Sequence, residues 1–105
     1  MMSIEERRFK ESPMEQGSDE KIARRLDTQP WGGNPEAPVT AVLKLNGVDV
    51  SADHLDGSAV IEDTHYIVTS HAYDLVKGTK YRLEVSWIYA GNTVEAFGDL
   101  VCSEE

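Results

Sequence analysis

The chain has 105 residues, 40% hydrophobic and 28% charged, enough for one water-soluble core and too few for two. Residues 1–29 carry six basic and seven acidic side chains and residues 30–105 carry four and twelve, so −8 of the net −9 sits on the larger part, which repels phosphates and argues against a nucleic-acid partner. No apolar run nears the roughly 18–20 residues that cross a bilayer, the start MMSIEERRFKE lacks a signal peptide's apolar centre, and the single Cys102 has no partner for an internal disulfide; residence in a cytoplasm without membrane contact is expected.

In chain order, Met1 to Asp19 is polar and mixed in charge, with Pro13 and Gly17 and no apolar period, and reads as a flexible N-terminal arm over residues 1–19. A domain over residues 20–105 follows. Its first stretch, DEKIARRLDT, fits one or two helical turns behind Ser18 or a short edge strand. QPWGGNPEAP holds three of the four prolines and a Gly pair, so it forms a surface loop carrying Trp31.

From Val39 onward the pattern is β. VTAVLKL leads into Asn46-Gly47, a pair that accepts positive φ at both central turn positions and returns the chain into Val48-Asp49-Val50. SADHLDGS is turn-rich, and SAVIED and THYIVTSH read as two further short strands. KYRLEVSWIYA, Gly91-Asn92 and TVEAFGDLVCS make a long hairpin. Tyr81, Leu83, Val85, Trp87 and Tyr89 share the inward face of its first arm, and Gly98 marks a bulge on the second, where inward parity shifts toward Val101. Short strands joined by tight turns predict an all-β antiparallel fold. The run Leu75-Val76-Lys77-Gly78-Thr79-Lys80-Tyr81 is similar to the tyrosine corner of immunoglobulin and fibronectin type III sandwiches, in which the ring packs inside and the hydroxyl bonds backbone just upstream. The fold class is therefore an immunoglobulin/fibronectin-III-like β-sandwich with an extended N-terminal arm.

The residue pattern predicts no catalytic, cofactor or metal site. On one strand His65 and His71 would stand about 20 Å apart, beyond a shared ion, and His54 reads as a solvated turn residue. Asp49-x-Ser51-x-Asp53 matches the opening spacing of a calcium loop, but the glycine position holds His54 and the twelfth position holds Val60. Cys102 reads as a small buried filler rather than a nucleophile.

Lys10 with Pro13-Met14-Glu15, the Pro30-Trp31-Gly32-Gly33 loop, the valine-rich strand, Lys77 to Leu83 and the Gly91-Asn92 hairpin together resemble small tailed-phage virion proteins of the fibre-tail adaptor (neck/tail) family, over residues 9–103. The Arg24-Arg25 pair and the Asp53 to Asp63 connection depart from that pattern. The resemblance implies a non-enzymatic structural protein of a bacteriophage virion, assembled in the host bacterial cytoplasm, oligomeric in the particle, with other neck, tail or fibre subunits as partners. It also implies an extended first strand across Glu20 to Thr28. Phe9, Lys10, Pro13, Trp31 and Tyr89 are the partner-binding residues to be tested, the aromatic ones because rings dominate interface energetics. A capsid decoration protein, or a cellular immunoglobulin-like module binding protein or carbohydrate, are the rival readings.

Overall fold

The computed structural model describes residues 7–9, 11–32 and 34–103. Its strands are β1 (Met14–Gln16), β2 (Arg25–Asp27), β3 (Glu36–Leu45), β4 (Val48–Asp49), β5 (Leu55–Asp56), β6 (Val60–Glu62), β7 (Tyr66–Val68), β8 (His71–Ala72), β9 (Lys80–Tyr89) and β10 (Asn92–Cys102). A short helix, α1 (Ser51–His54), interrupts the turn-rich segment. The described residues are mostly β and form three sheets. A five-stranded sheet has the order β1-β10-β9-β3-β4, a three-stranded one the order β2-β7-β6, and β5 pairs with β8.

Local rules explain most of this. Asn46 and Gly47 both have positive φ, 51° and 82°, and close the β3–β4 hairpin with Leu45 opposite Val48. β9 alternates as its sequence requires: Tyr81, Leu83, Val85 and Trp87 are buried while Arg82 is exposed and Glu84 and Ser86 are half-buried. The β9–β10 turn falls one residue earlier than expected. Ala90 and Gly91 occupy its centre, with φ of 51° and 78°, and Asn92 already opens β10 opposite Tyr89. THYIVTSH is not one strand either. It breaks at the buried Thr69 and Ser70, so that β7 and β8 enter different sheets; Thr69 exchanges bonds with Arg24 instead, its N–H donating to the Arg24 carbonyl and its hydroxyl accepting from the Arg24 N–H.

Tyr81 behaves as the corner motif requires. Its ring is buried and its hydroxyl accepts the Val76 N–H at 3.0 Å, tying the chain between β8 and β9 to the strand that follows. A single buried cluster joins Leu26, Ile67 and Ala72 of the smaller sheets to Leu43, Leu83, Val85, Trp87, Ala96 and Leu100 of the large one.

Three expectations are corrected by non-local contacts. The large sheet is mixed rather than antiparallel, because β1 runs parallel to β10, with Met14, Glu15 and Gln16 opposite Leu100, Val101 and Cys102. The segment read as a flexible arm through Asp19 is, over its described part from Arg7, packed into the fold. Phe9 is 1% exposed and Met14 6%, the Phe9 N–H donates to the Phe97 carbonyl at 2.7 Å, and the buried Gln16 amide donates to the carbonyls of Ala72 and Glu20. Gly98 makes no bulge. The β9–β10 register runs unbroken from Asn92 to Val101, and inward parity stays with Ala96, Gly98, Leu100 and Cys102. The glycine is there for space. A Cβ at residue 98 would stand 3.2 Å from both Phe9 Cδ2 and Met14 Cε and 3.3 Å from Ser12 Cβ, so the bare backbone lets the N-terminal segment lie against β10.

Candidate partner-binding site

Four of the five residues singled out for partner binding are described, and three of them converge in space. Phe9 meets Trp31 edge to face at 5.7 Å, and Trp31 meets Trp87 in the same manner at 5.8 Å. Trp31 closes a 3₁₀ turn (Gln29–Trp31) with proline at its start, and the Trp31 N–H donates to the Thr28 carbonyl. The backbone then reverses at Gly32, with φ 122°, directly beneath the Tyr89 ring, where an added Cβ would lie 2.4 Å from Cε2. Trp31, expected on a surface loop, and Phe9, named with it for partner binding, are both enclosed. With 1% and 8% exposure they are core residues, since a ring ladder running to Trp87 buries more apolar surface than a loop tip would. Pro13 is exposed, and Lys10 lies outside the described residues.

Tyr89 is different: it is half-buried, and one edge of it opens on solvent. It lines an open groove of about 450 Å³ with Asn34, Pro35, Glu36, Asp63, Thr64 and Ala90. Three connections line the groove: Asn34 and Pro35 ahead of β3, the β6–β7 turn and the β9–β10 turn. Asn34, Asp63 and Ala90 all take positive φ, at 28°, 60° and 51°, which brings the three loops together at one end of the sheets. Two acidic residues, Glu36 and Asp63, line the groove together with Tyr89, a composition that suits a cationic side chain. Asp63 also lies 3.9 Å from Arg25, whose guanidinium sits 3.7 Å over the Tyr66 ring and pairs with Glu62 at 2.8 Å.

The groups weighed for chemistry are used structurally. Among the described residues no three His, Cys, Asp or Glu side chains come close enough to hold a metal ion. In the calcium-like segment the Asp49 carboxylate accepts the Ser51 N–H at 2.9 Å just ahead of α1, and bonding to the Ser51 side chain first and to its N–H second holds the Asp49 pKa below the usual value. His65 Nδ1 stands 3.1 Å from the buried Asp27 carboxylate, which also accepts the Gln29 N–H. His54 packs on the Tyr81 ring at 5.6 Å. Burial raises the Cys102 thiol pKa above its ordinary value, and burial lowers that of Arg24, whose Nε is enclosed without a partner.

No family model, curated protein or solved structure matches this chain.

Sequence reasoning missed Glu36 and Asp63, which belong to a β-strand start and a turn and look like ordinary solvated acids until the loops are brought together. It also missed the outer face of the large sheet. There Phe97 is 6% exposed although it points away from the core cluster, because Arg82 and Arg8 lie over its ring at 3.8 and 5.0 Å. A phenylalanine out of phase with its strand, with arginines in the sequence to cover it, was the available signal.

Proposed function

We propose that this chain is a structural, non-enzymatic virion protein of a tailed bacteriophage, an adaptor in the neck or tail built on an immunoglobulin-like sandwich. The observation that carries the docking part of this reading is the groove around Tyr89. It is shallow and open, it is built by three loops at one end of the sheets, and it offers carboxylates beside an aromatic ring, which suits a protein surface better than an enclosed small molecule. The Tyr81 hydroxyl on Val76 and the shared core between large and small sheets support the sandwich. The virion assignment itself rests on the resemblance in the Pro30 to Gly33 loop and the Lys77 to Leu83 run. The carbohydrate-module reading has less support, because Phe9, Trp31, Trp87 and Phe97 are all buried rather than set out as a row of exposed rings.

Immunogold electron microscopy of a lysate from the source organism, with antibody against the whole chain, tests this. Label at the neck or tail is the expected result. Label spread over heads would transfer the protein to capsid decoration, and unlabelled particles beside abundant free protein would end the virion reading.

A further inference from the structure

The two ends of strand β9 differ. Its ten residues span about 30 Å, and each end borders a hollow of similar size. At the Tyr89 end lies the acidic groove with Glu36 and Asp63, about 450 Å³. At the Lys80 end lies a second hollow of about 440 Å³, lined by Lys44, Asn46, Gly47, Lys80, Arg82, Glu84 and Asp99.

Cations outnumber carboxylates at that second end. Lys44 and Arg82 share Glu84, at 3.2 and 3.4 Å, and Arg8 and Lys80 share Asp99, at 2.9 and 3.6 Å, so four cations divide two acids. A third acid, Asp49, stands opposite Lys44 in register; its carboxylate accepts the Ser51 N–H and also feels the Lys44 charge, which leaves a surplus of one cation at this end. Arg82 is held in place by Phe97 beneath it and by Glu84 at Nε, which fixes a half-exposed guanidinium with little entropy left to lose on pairing. A surplus of cations at one end of a chain carrying −9 marks a surface that complements the rest of the same molecule.

We propose that the two hollows are two halves of one contact, through which copies of this chain associate head to tail, the Lys44/Lys80/Arg82 end of one against the Glu36/Asp63/Tyr89 end of the next. This names the partner of the groove and rests on the reading of the chain as an assembly protein. Overall repulsion between two chains of −9 is damped at physiological salt, where the screening length is about 8 Å, while apposed charges inside the contact are screened less. A contact between unlike surfaces is heterologous, so it propagates until a rotation closes it into a ring.

The test is sedimentation velocity of the full chain up to millimolar concentration, in 0.1 and 0.5 M NaCl. Association that weakens roughly tenfold at the higher salt is expected. Lys44→Gln/Lys80→Gln, which leaves Arg82 on Phe97, and Glu36→Gln/Asp63→Asn should each be folded by circular dichroism and monomeric. Mixed one to one they should form a dimer that grows no further, because each retains a single native end. A wild-type monomer at millimolar concentration in 0.1 M NaCl, association indifferent to salt, or association surviving both pairs of substitutions would overturn the proposal. A chain that labels virion necks yet never self-associates would leave the adaptor reading standing and give the groove to another protein. Self-association without particle label would do the reverse.

Discussion

Phe9→Ala separates a flexible arm from a built-in one. The Phe9 ring is 1% exposed, packs edge-on against Trp31 at 5.7 Å and lies over the bare backbone of Gly98. Removing a fully buried phenylalanine costs about 3–5 kcal/mol in transfer and cavity terms, against a total of about 5–15 kcal/mol for a domain. With a urea m-value of about 1–3 kcal/mol/M, the midpoint should fall by roughly 2 M. Equilibrium urea unfolding followed by tryptophan fluorescence reads this directly, since both Trp31 and Trp87 belong to the same ring ladder. A second substitution checks the geometry. Gly98→Ala places a methyl 3.2 Å from Phe9 Cδ2 and Met14 Cε, an overpacking of about 1–3 kcal/mol, and part of that cost should vanish in the Phe9→Ala background, as residues in contact are not additive. A midpoint shift below about 0.3 M for Phe9→Ala, or strict additivity with Gly98→Ala, would refute the docking of this segment and restore the free arm.

Other outcomes follow from single contacts. Tyr81→Phe keeps the ring and deletes the acceptor for the Val76 N–H, and should cost about 1–2 kcal/mol in urea unfolding; no loss would mean the hydroxyl contributes nothing to the corner. Gly32→Ala meets both a φ of 122° and the Tyr89 ring, and should lower the thermal midpoint more than Gly47→Ala, which has positive φ but open space around it. Cys102 should resist Ellman's reagent in the native state and react on unfolding. Because burial raises the native thiol pKa above the ordinary 9.0, its contribution to stability is intact below that value and declines as pH rises past it, a slope that Cys102→Ala should remove. The Lys21–Asp56 pair lowers the Asp56 pKa below 3.8 and raises that of Lys21, yet both side chains are more than half exposed; Asp56→Asn should leave the urea midpoint nearly unchanged at neutral pH and matter least below the usual carboxylate range.

The sequence alone determined what depends on neighbours along the chain. Alternation over Lys80–Tyr89 set the inward face of β9, Asn46-Gly47 set a hairpin through its tolerance of positive φ, and the spacing from Val76 to Tyr81 set the corner hydrogen bond. Each is decided within a few residues by sterics, pleat or a short-range bond. Tertiary structure decided the rest. Parallel pairing of Met14–Gln16 with Leu100–Cys102 joins opposite ends of the chain, and no local pattern distinguishes a polar segment with one phenylalanine that docks from one that does not. Gly98 reads as a bulge by itself and becomes a clearance only when Phe9, Ser12 and Met14 arrive from that distance. Trp31 looks like a loop-tip anchor until Trp87 and Phe9 enclose it, and Glu36, Asp63 and Tyr89 become one groove only because three separate loops end at the same edge of the sheets. Those contacts are selected by the free energy of burying the whole core at once, a quantity that belongs to the fold and not to any stretch of sequence.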